Sequence, residues 1–202
     1  MRPRLLDLFC GAGGAAMGYH RAGFDVVGVD IKPQKNYPFE FRQADAMTYP
    51  LDGFDAIHAS PPCQGYSRLA VMHPGRTYPM LVGETRDRIA GLPHVIENVE
   101  GAPLVEPVML CGSMFGLGVE RGHLRRHRLF ECTFPALTPP CQHIGPAVGV
   151  YGHGGHSGKH RMLYKAEAAI AMGIDWMTRD ELCQAIPPAY TEFIGRRLME
   201  AL

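Results

Sequence analysis

The stretch LLDLFCGAGGAAMGYHRAGFDVVGVD, Leu5 to Asp30, decides the fold. Its apolar start, Leu5 to Cys10, is short enough for a strand. A glycine-rich turn and a helix-compatible segment follow, and DVVGVD, Asp25 to Asp30, reads as a second strand. Strand, glycine turn, helix and strand in that order form the building unit of open, mostly parallel α/β sheets. Gly11, Gly13 and Gly14 let the backbone turn tightly and approach a ligand. Asp30, closing the second strand, is placed to accept hydrogen bonds from ribose hydroxyls. The spacing is Phe9-x-Gly11-x-Gly13 rather than the dinucleotide G-x-G-x-x-G, which points away from NAD and towards another adenosine-containing cofactor.

Downstream, FEFRQAD ends a third extended piece at Asp45, which either bonds an adenine amino group or forms the turn before AMTYP. FDAIHAS, Phe54 to Ser60, is a buried strand that the double proline of SPPCQGYS, Ser60 to Ser67, ends abruptly. Cys63 therefore sits just past a strand end, where open α/β sheets place their chemistry. A thiol there is either a nucleophile or a small buried hydrophobe. Residues Gly65 to Pro79 carry Arg68 and Arg76 and read as a mobile active-site loop. A helix is expected from about Met80 to Ala90. HVIENV, His94 to Val99, is the next buried strand, and Glu97 on it needs a polar site or a raised pKa; it is a structural hub or a catalyst. VMLCGSMFGLGV continues the core, and Arg128 to Cys132 alternates like an edge strand.

The 202 residues fit one domain, read as a catalytic and cofactor-binding core over 1–132, a short Gly/Pro/His-rich surface excursion over 133–160 and C-terminal helices over 161–202. In that last part Lys165 to Gly173 is helical, Thr178 and Glu181 form a capping box, and Pro187 and Pro188 begin a helix burying Ile186, Tyr190, Ile194 and Leu198. Twenty basic and twenty acidic residues cancel. No acid occurs from Ala56 to Gly83 or from Cys132 to Ala166, and RGHLRRHR at Arg121 to Arg128 carries four arginines, so a neutral chain can still offer phosphate a positive cleft. Six scattered cysteines, with neither signal peptide nor membrane span, predict a cytoplasmic protein with reduced thiols. Cys132, Cys141, His143, His153, His156 and His160 fit no standard zinc spacing, so loop histidines and no metal are expected.

Together, DLFCGAGG, Asp30, Asp45, the Pro-Cys-Gln turn and IENVEG resemble, in order and rough spacing, the motifs of the DNA cytosine-5 methyltransferase family. The resemblance implies a Rossmann-like, S-adenosyl-L-methionine-dependent methyltransferase fold, a doubly wound, mostly parallel sheet with C-terminal helices. It implies Phe9, Gly11, Gly13, Asp30, Asp45, Pro62 and Gln184 around that cofactor. Cys63 would be the nucleophile and Glu97 the proton donor to cytosine N3. Arg126 and Arg128 match the family's Q-x-R-x-R arginines, with Leu124 in place of the glutamine. Gln64, Ser67, Arg68, Arg76 and Asn98 would face or support the substrate, which the family takes as double-stranded DNA with a flipped cytosine. The family's large recognition domain shrinks here to the stretch after Cys132, implying a relaxed target, a specificity partner or a homo-oligomer. A transfer-RNA methyltransferase and a non-catalytic DNA-binding homologue are the alternatives.

Overall fold

The computed structural model describes residues 1–67, 75–152 and 162–202 with their side chains, and the backbone alone of 155–157 and 160–161. The chain runs β1 (Arg4–Leu8), α1 (Gly14–Ala22), β2 (Asp25–Asp30), β3 (Glu40–Gln43), β4 (Ala56–Ala59), α2 (Val82–Ile89), β5 (His94–Asn98) and β6 (Val108–Leu110). A 3₁₀ turn (Gly112–Phe115) leads to β7 (Gly118–Val119), β8 (Gly122–Leu124), β9 (Arg128–Cys132), β10 (Ala147–Gly149), β11 (Gly155–Ser157) and β12 (His160–Met162). The last elements are α3 (Lys165–Met172), α4 (Arg179–Gln184) and α5 (Pro188–Ala201).

Seven strands form the main sheet in the order β3-β2-β1-β4-β5-β9-β6. The first five are parallel, and β9 runs antiparallel to both β5 and β6. The chain therefore leaves β1 in one direction for β2 and later returns on its other side as β4, opening a crevice at their carboxyl ends. Neighbouring side chains of a strand point to opposite faces. Leu5 joins Tyr19, Phe24, Phe130, Tyr190, Ile194 and Leu198 on the face covered by α1 and α5, whereas Leu6 joins Val29, Ile57, Ile89 and Ile96 on the other. Each such fully buried apolar side chain contributes about 1.5–3 kcal/mol.

Two readings of the sequence are corrected. Arg128–Cys132 is an interior strand, hydrogen-bonded on both sides. The stretch taken as a surface excursion supplies β10, β11 and β12, which join β7 and β8 in a second sheet ordered β11-β12-β10-β8-β7. That sheet closes over its own core of Leu124, Val148, Leu163, Ala168, Ala171, Met172 and Leu182, which also reaches Ala12 of the glycine turn. No helix among the described residues is long and apolar enough to cross a membrane.

Candidate active site

A cavity of about 430 Å³ opens at the carboxyl ends of β1, β2, β4 and β5 and is closed on its far side by α4 and the segment following it. The backbone leaves β1 through a tight turn, with Phe9, Gly11 and Gly13 all at positive φ (58°, 49° and 83°). For an aromatic residue such as Phe9 that conformation is strained, and strain of this kind gathers where a chain wraps a ligand. Gly13 is required sterically: a Cβ would stand 2.7 Å from Pro38 Cδ. At Gly11 nothing lies within 4 Å of a Cβ position, leaving room for a ligand against bare backbone. Asp30 accepts hydrogen bonds from the Gly11 N–H (3.1 Å) and the Lys32 N–H (2.9 Å), and each carboxylate oxygen keeps a lone pair for a hydroxyl. Ile31 beside it is 66% exposed and lines the same cavity, an apolar surface for a planar base. Trp176 Nε1–H donates to the Ala12 carbonyl at 2.9 Å and pins the turn from the C-terminal side. Volume, bare backbone and an acid at the strand end fit an adenosine-containing cofactor.

Cys63, Glu97 and Arg128 line the other half of this cavity. Each comes from a different strand end. Pro61 and Pro62 stop β4, and the Tyr66 and Ser67 N–H groups both donate to the Cys63 carbonyl at 3.1 Å, which fixes the turn. Asn98 braces it from β5: its Nδ2 donates to the Pro61 carbonyl (2.9 Å), while its Oδ1 accepts from the Val99 N–H (2.9 Å). Glu97 is buried, and Arg128 Nε stands 3.1 Å from its Oε1. Burial raises the Glu97 pKa despite the opposing pull of Arg128 and of a hydrogen bond from Ser60. Burial and the nearby Glu97 charge likewise raise the Cys63 thiol, with Arg128 opposing them. Ser60 continues a buried chain, since its Oγ meets His58 Nε2 at 2.8 Å and His58 Nδ1 meets the Tyr19 hydroxyl at 2.9 Å.

Other predicted site residues lie elsewhere. Arg126 is fully buried and donates to the carbonyls of Val150 (3.1 Å), Cys183 (2.7 Å) and Ala185 (2.9 Å). Its guanidinium ties the second sheet to the segment before α5 rather than facing the cavity, and Tyr190 caps its own carbonyl at 2.6 Å. Asp45 is exposed, does not line the cavity, and its carboxylate accepts from the Met47 N–H at 2.8 Å, a turn-forming contact. Gly13 shapes the turn without lining the cavity, whereas Phe9, Pro62, Gln64 and Gln184 do line it. Arg76 is exposed, and Arg68 lies, with residues 69–74 of the expected loop, outside the described residues. Sequence reasoning passed over Asp7, which is wholly buried at the cavity floor with its pKa raised by burial and by Asp30. An acid inside an apolar strand was the available signal. It also passed over the contact of Glu181, whose carboxylate accepts from Asn36 Nδ2 at 2.9 Å and joins α4 to the cofactor side. Of the residues named as possible zinc ligands whose side chains are described, Cys132, Cys141 and His143, only Cys141 and His143 converge, and they do so with Cys111 and His127. The side chains of His153, His156 and His160 lie outside the described residues.

Residues 3–73 match the model of the C-5 cytosine-specific DNA methylase family. Over that stretch the chain is similar to those methylases. The Type II methyltransferase M1.HphI of Haemophilus parahaemolyticus is 34% identical over 90 residues, an overlap of 36% of this chain and 24% of that protein. The chain therefore spans about a quarter of the curated relative that it matches. Among solved structures, a candidate DNA modification methyltransferase encoded within an E. coli prophage superposes with TM-score 0.65 at 15% identity, covering 98% of this chain and 99% of that one. The S. pombe Dnmt2 methyltransferase gives 0.63 at 13%, covering 100% and 99%, and the Entamoeba histolytica methyltransferase EhMeth 0.60 at 12%, again covering 100% and 99%. Identities this low establish a shared fold, that of the methyltransferases. The methylase match takes in the glycine turn, Asp30 and Cys63 but ends before Glu97 and Arg128, whose standing rests on their position in the cavity.

Proposed function

We propose that the protein methylates C5 of cytosine in DNA, using S-adenosyl-L-methionine and a covalent link between Cys63 and C6. The observation that carries this reading is one cavity holding the cofactor-type turn on one wall and Cys63, Glu97 and Arg128 on the other. Cytosine C5 is a weak nucleophile. Addition of the Cys63 thiolate to C6 breaks the C5–C6 π bond, and Glu97, whose protonated form burial favours, donates its proton to N3 as the ring takes up the electron pair. Arg128, beside Glu97, holds O2. The cofactor, when bound, supplies an electrophilic methyl group. Loss of the C5 proton, expulsion of Cys63 and return of the N3 proton to Glu97 then restore the ring, the thiolate and the acid.

A base inside a duplex cannot reach so recessed a thiol, so the target is flipped out. Sequence choice would fall to the short stretch after Cys132, to a partner protein or to a second copy of the chain.

The direct test incubates labelled cofactor with duplex DNA and maps the modified bases. Transfer to cytosine C5 by wild type and none by Cys63→Ala are expected. Duplex containing 5-fluorocytosine should trap a covalent adduct only with cofactor present. Binding without trapping would leave a DNA-binding homologue, and transfer to transfer RNA alone would change the substrate.

A further inference from the structure

The second sheet is joined to the catalytic sheet by residues 133–146, of which Phe134 and Ala136 pack into the core while the part from 137 to 146 buries little: Leu137 and Ile144 are 88% and 82% exposed. Cys141 and His143 lie on it. They meet Cys111, just after β6, and His127, between Arg126 and Arg128, so that four ligand atoms from three separate parts of the chain lie within 4.8 Å of one another. His127 Nε2 and His143 Nε2 are 3.2 Å apart, Cys111 Sγ and His143 Nε2 3.4 Å, and Cys141 Sγ and His127 Nε2 3.6 Å. Cys141 Sγ and His143 Nε2 are closer, at 2.8 Å. Two thiolates and two imidazoles around a tetrahedral zinc, with bonds of about 2.3 and 2.05 Å, stand roughly 3.3–3.8 Å apart.

The surroundings suit a cation better than a hydrogen-bond cluster. His127 Nδ1 lies 2.8 Å from Glu100 Oε1. With its proton on Nδ1 facing that carboxylate, its Nε2 presents a lone pair to the cluster, the carboxylate–histidine–metal arrangement of zinc sites. A second imidazole nitrogen and two sulfurs then converge on the same point, and only a cation satisfies four such donors at once. The His143 ring is held between His123 and His127, stacked at 5.5 and 5.2 Å.

We propose that Cys111, His127, Cys141 and His143 form a tetrahedral structural zinc site that clips residues 137–146 to the catalytic sheet. Softness and geometry favour zinc over magnesium or calcium. The clip replaces the apolar burial that this stretch lacks. Because His127 precedes Arg128, it also fixes the start of β9, where Arg128 meets Glu97.

The full chain, purified without chelator, should carry about one zinc per molecule by elemental analysis. Replacing zinc with cobalt(II) should give the visible bands of a tetrahedral thiolate–imidazole site. The paired Cys141→Ser and His143→Ala substitutions, on an exposed stretch, should abolish both signals, while Cys132→Ser keeps them. Chelation of the wild type should lower its Tm, a readout that needs no variant to fold. Wild-type protein without zinc and without tetrahedral cobalt, a Cys111–Cys141 disulfide by mass spectrometry, or unchanged zinc in the double variant would overturn the site. None of these measurements depends on methyl transfer, so the two proposals fail separately.

Discussion

Cys63 must be ionised to attack and Glu97 protonated to donate, yet burial raises both groups. With the thiol the weaker acid, the active combination is a minority form. Between the two pKa values, a rise of one pH unit multiplies the thiolate about tenfold and divides the protonated carboxyl by the same factor. The product is flat, so kcat/KM should be nearly level through neutrality and fall below the Glu97 pKa and above that of Cys63. Glu97→Gln needs no proton at position 97. Its much lower activity should therefore climb about tenfold per pH unit through the same range, and a level profile in that variant would refute the assignment. The two arginines separate by a different measurement. Arg126→Ala strips the donor from one buried and two part-buried carbonyls and should cost about 3 kcal/mol in urea unfolding. Arg128→Ala should spare much of that stability and lower kcat by about 10²-fold.

At the scale of elements, α1 and α5 pack through glycine. A Cβ on Gly18 would strike Thr191 Oγ1 and the Pro188 carbonyl. Gly18→Ala should accordingly destabilise by about 2–3 kcal/mol although alanine favours helix, a loss that a chemical-denaturation midpoint reads directly. Elements like these were legible in the sequence because buried parallel strands are continuous apolar runs and helices show caps. DVVGVD is β2, the Thr178–Glu181 box opens α4, and Pro188 begins α5. Strand β9 was misplaced at an edge because its mouth end faces the cavity and so stays partly polar. Strands of two or three residues such as β7, β8 and β10 are too short to establish a period. Much of the cavity lining was readable, namely the glycine turn with Phe9, Asp30, Pro62, Cys63, Gln64, Glu97, Arg128 and Gln184. The inward turn of Arg126 and the meeting of Cys111 with His143 are products of tertiary packing between positions far apart in the chain.

For the whole molecule, buried titratable groups set an unusual pH dependence of stability. Asp7 and Glu97 have raised pKa values, so the folded protein keeps protons that the unfolded chain releases above about pH 4. Stability from these groups is present in acid and is lost as pH rises through their folded values. His58, wholly buried between Tyr19 and Ser60, is lowered to about 3. The unfolded chain protonates it near pH 6.5, so below that pH it works the other way, removing about 1.4 kcal/mol of stability per pH unit of acidification. On the acid side these two carboxyls oppose the one imidazole, and above about pH 6.5 the imidazole no longer contributes. Through these groups stability should decline from the acid side towards alkaline pH. Denaturation midpoints at about pH 5.5, 7 and 8.5 should fall in that order for wild type. Asp7→Asn should flatten the decline, and His58→Gln should make the fall from the acid end steeper. A midpoint that climbs steadily to about pH 8.5 would mean that Asp7 is ionised in the folded protein and balanced by a cation.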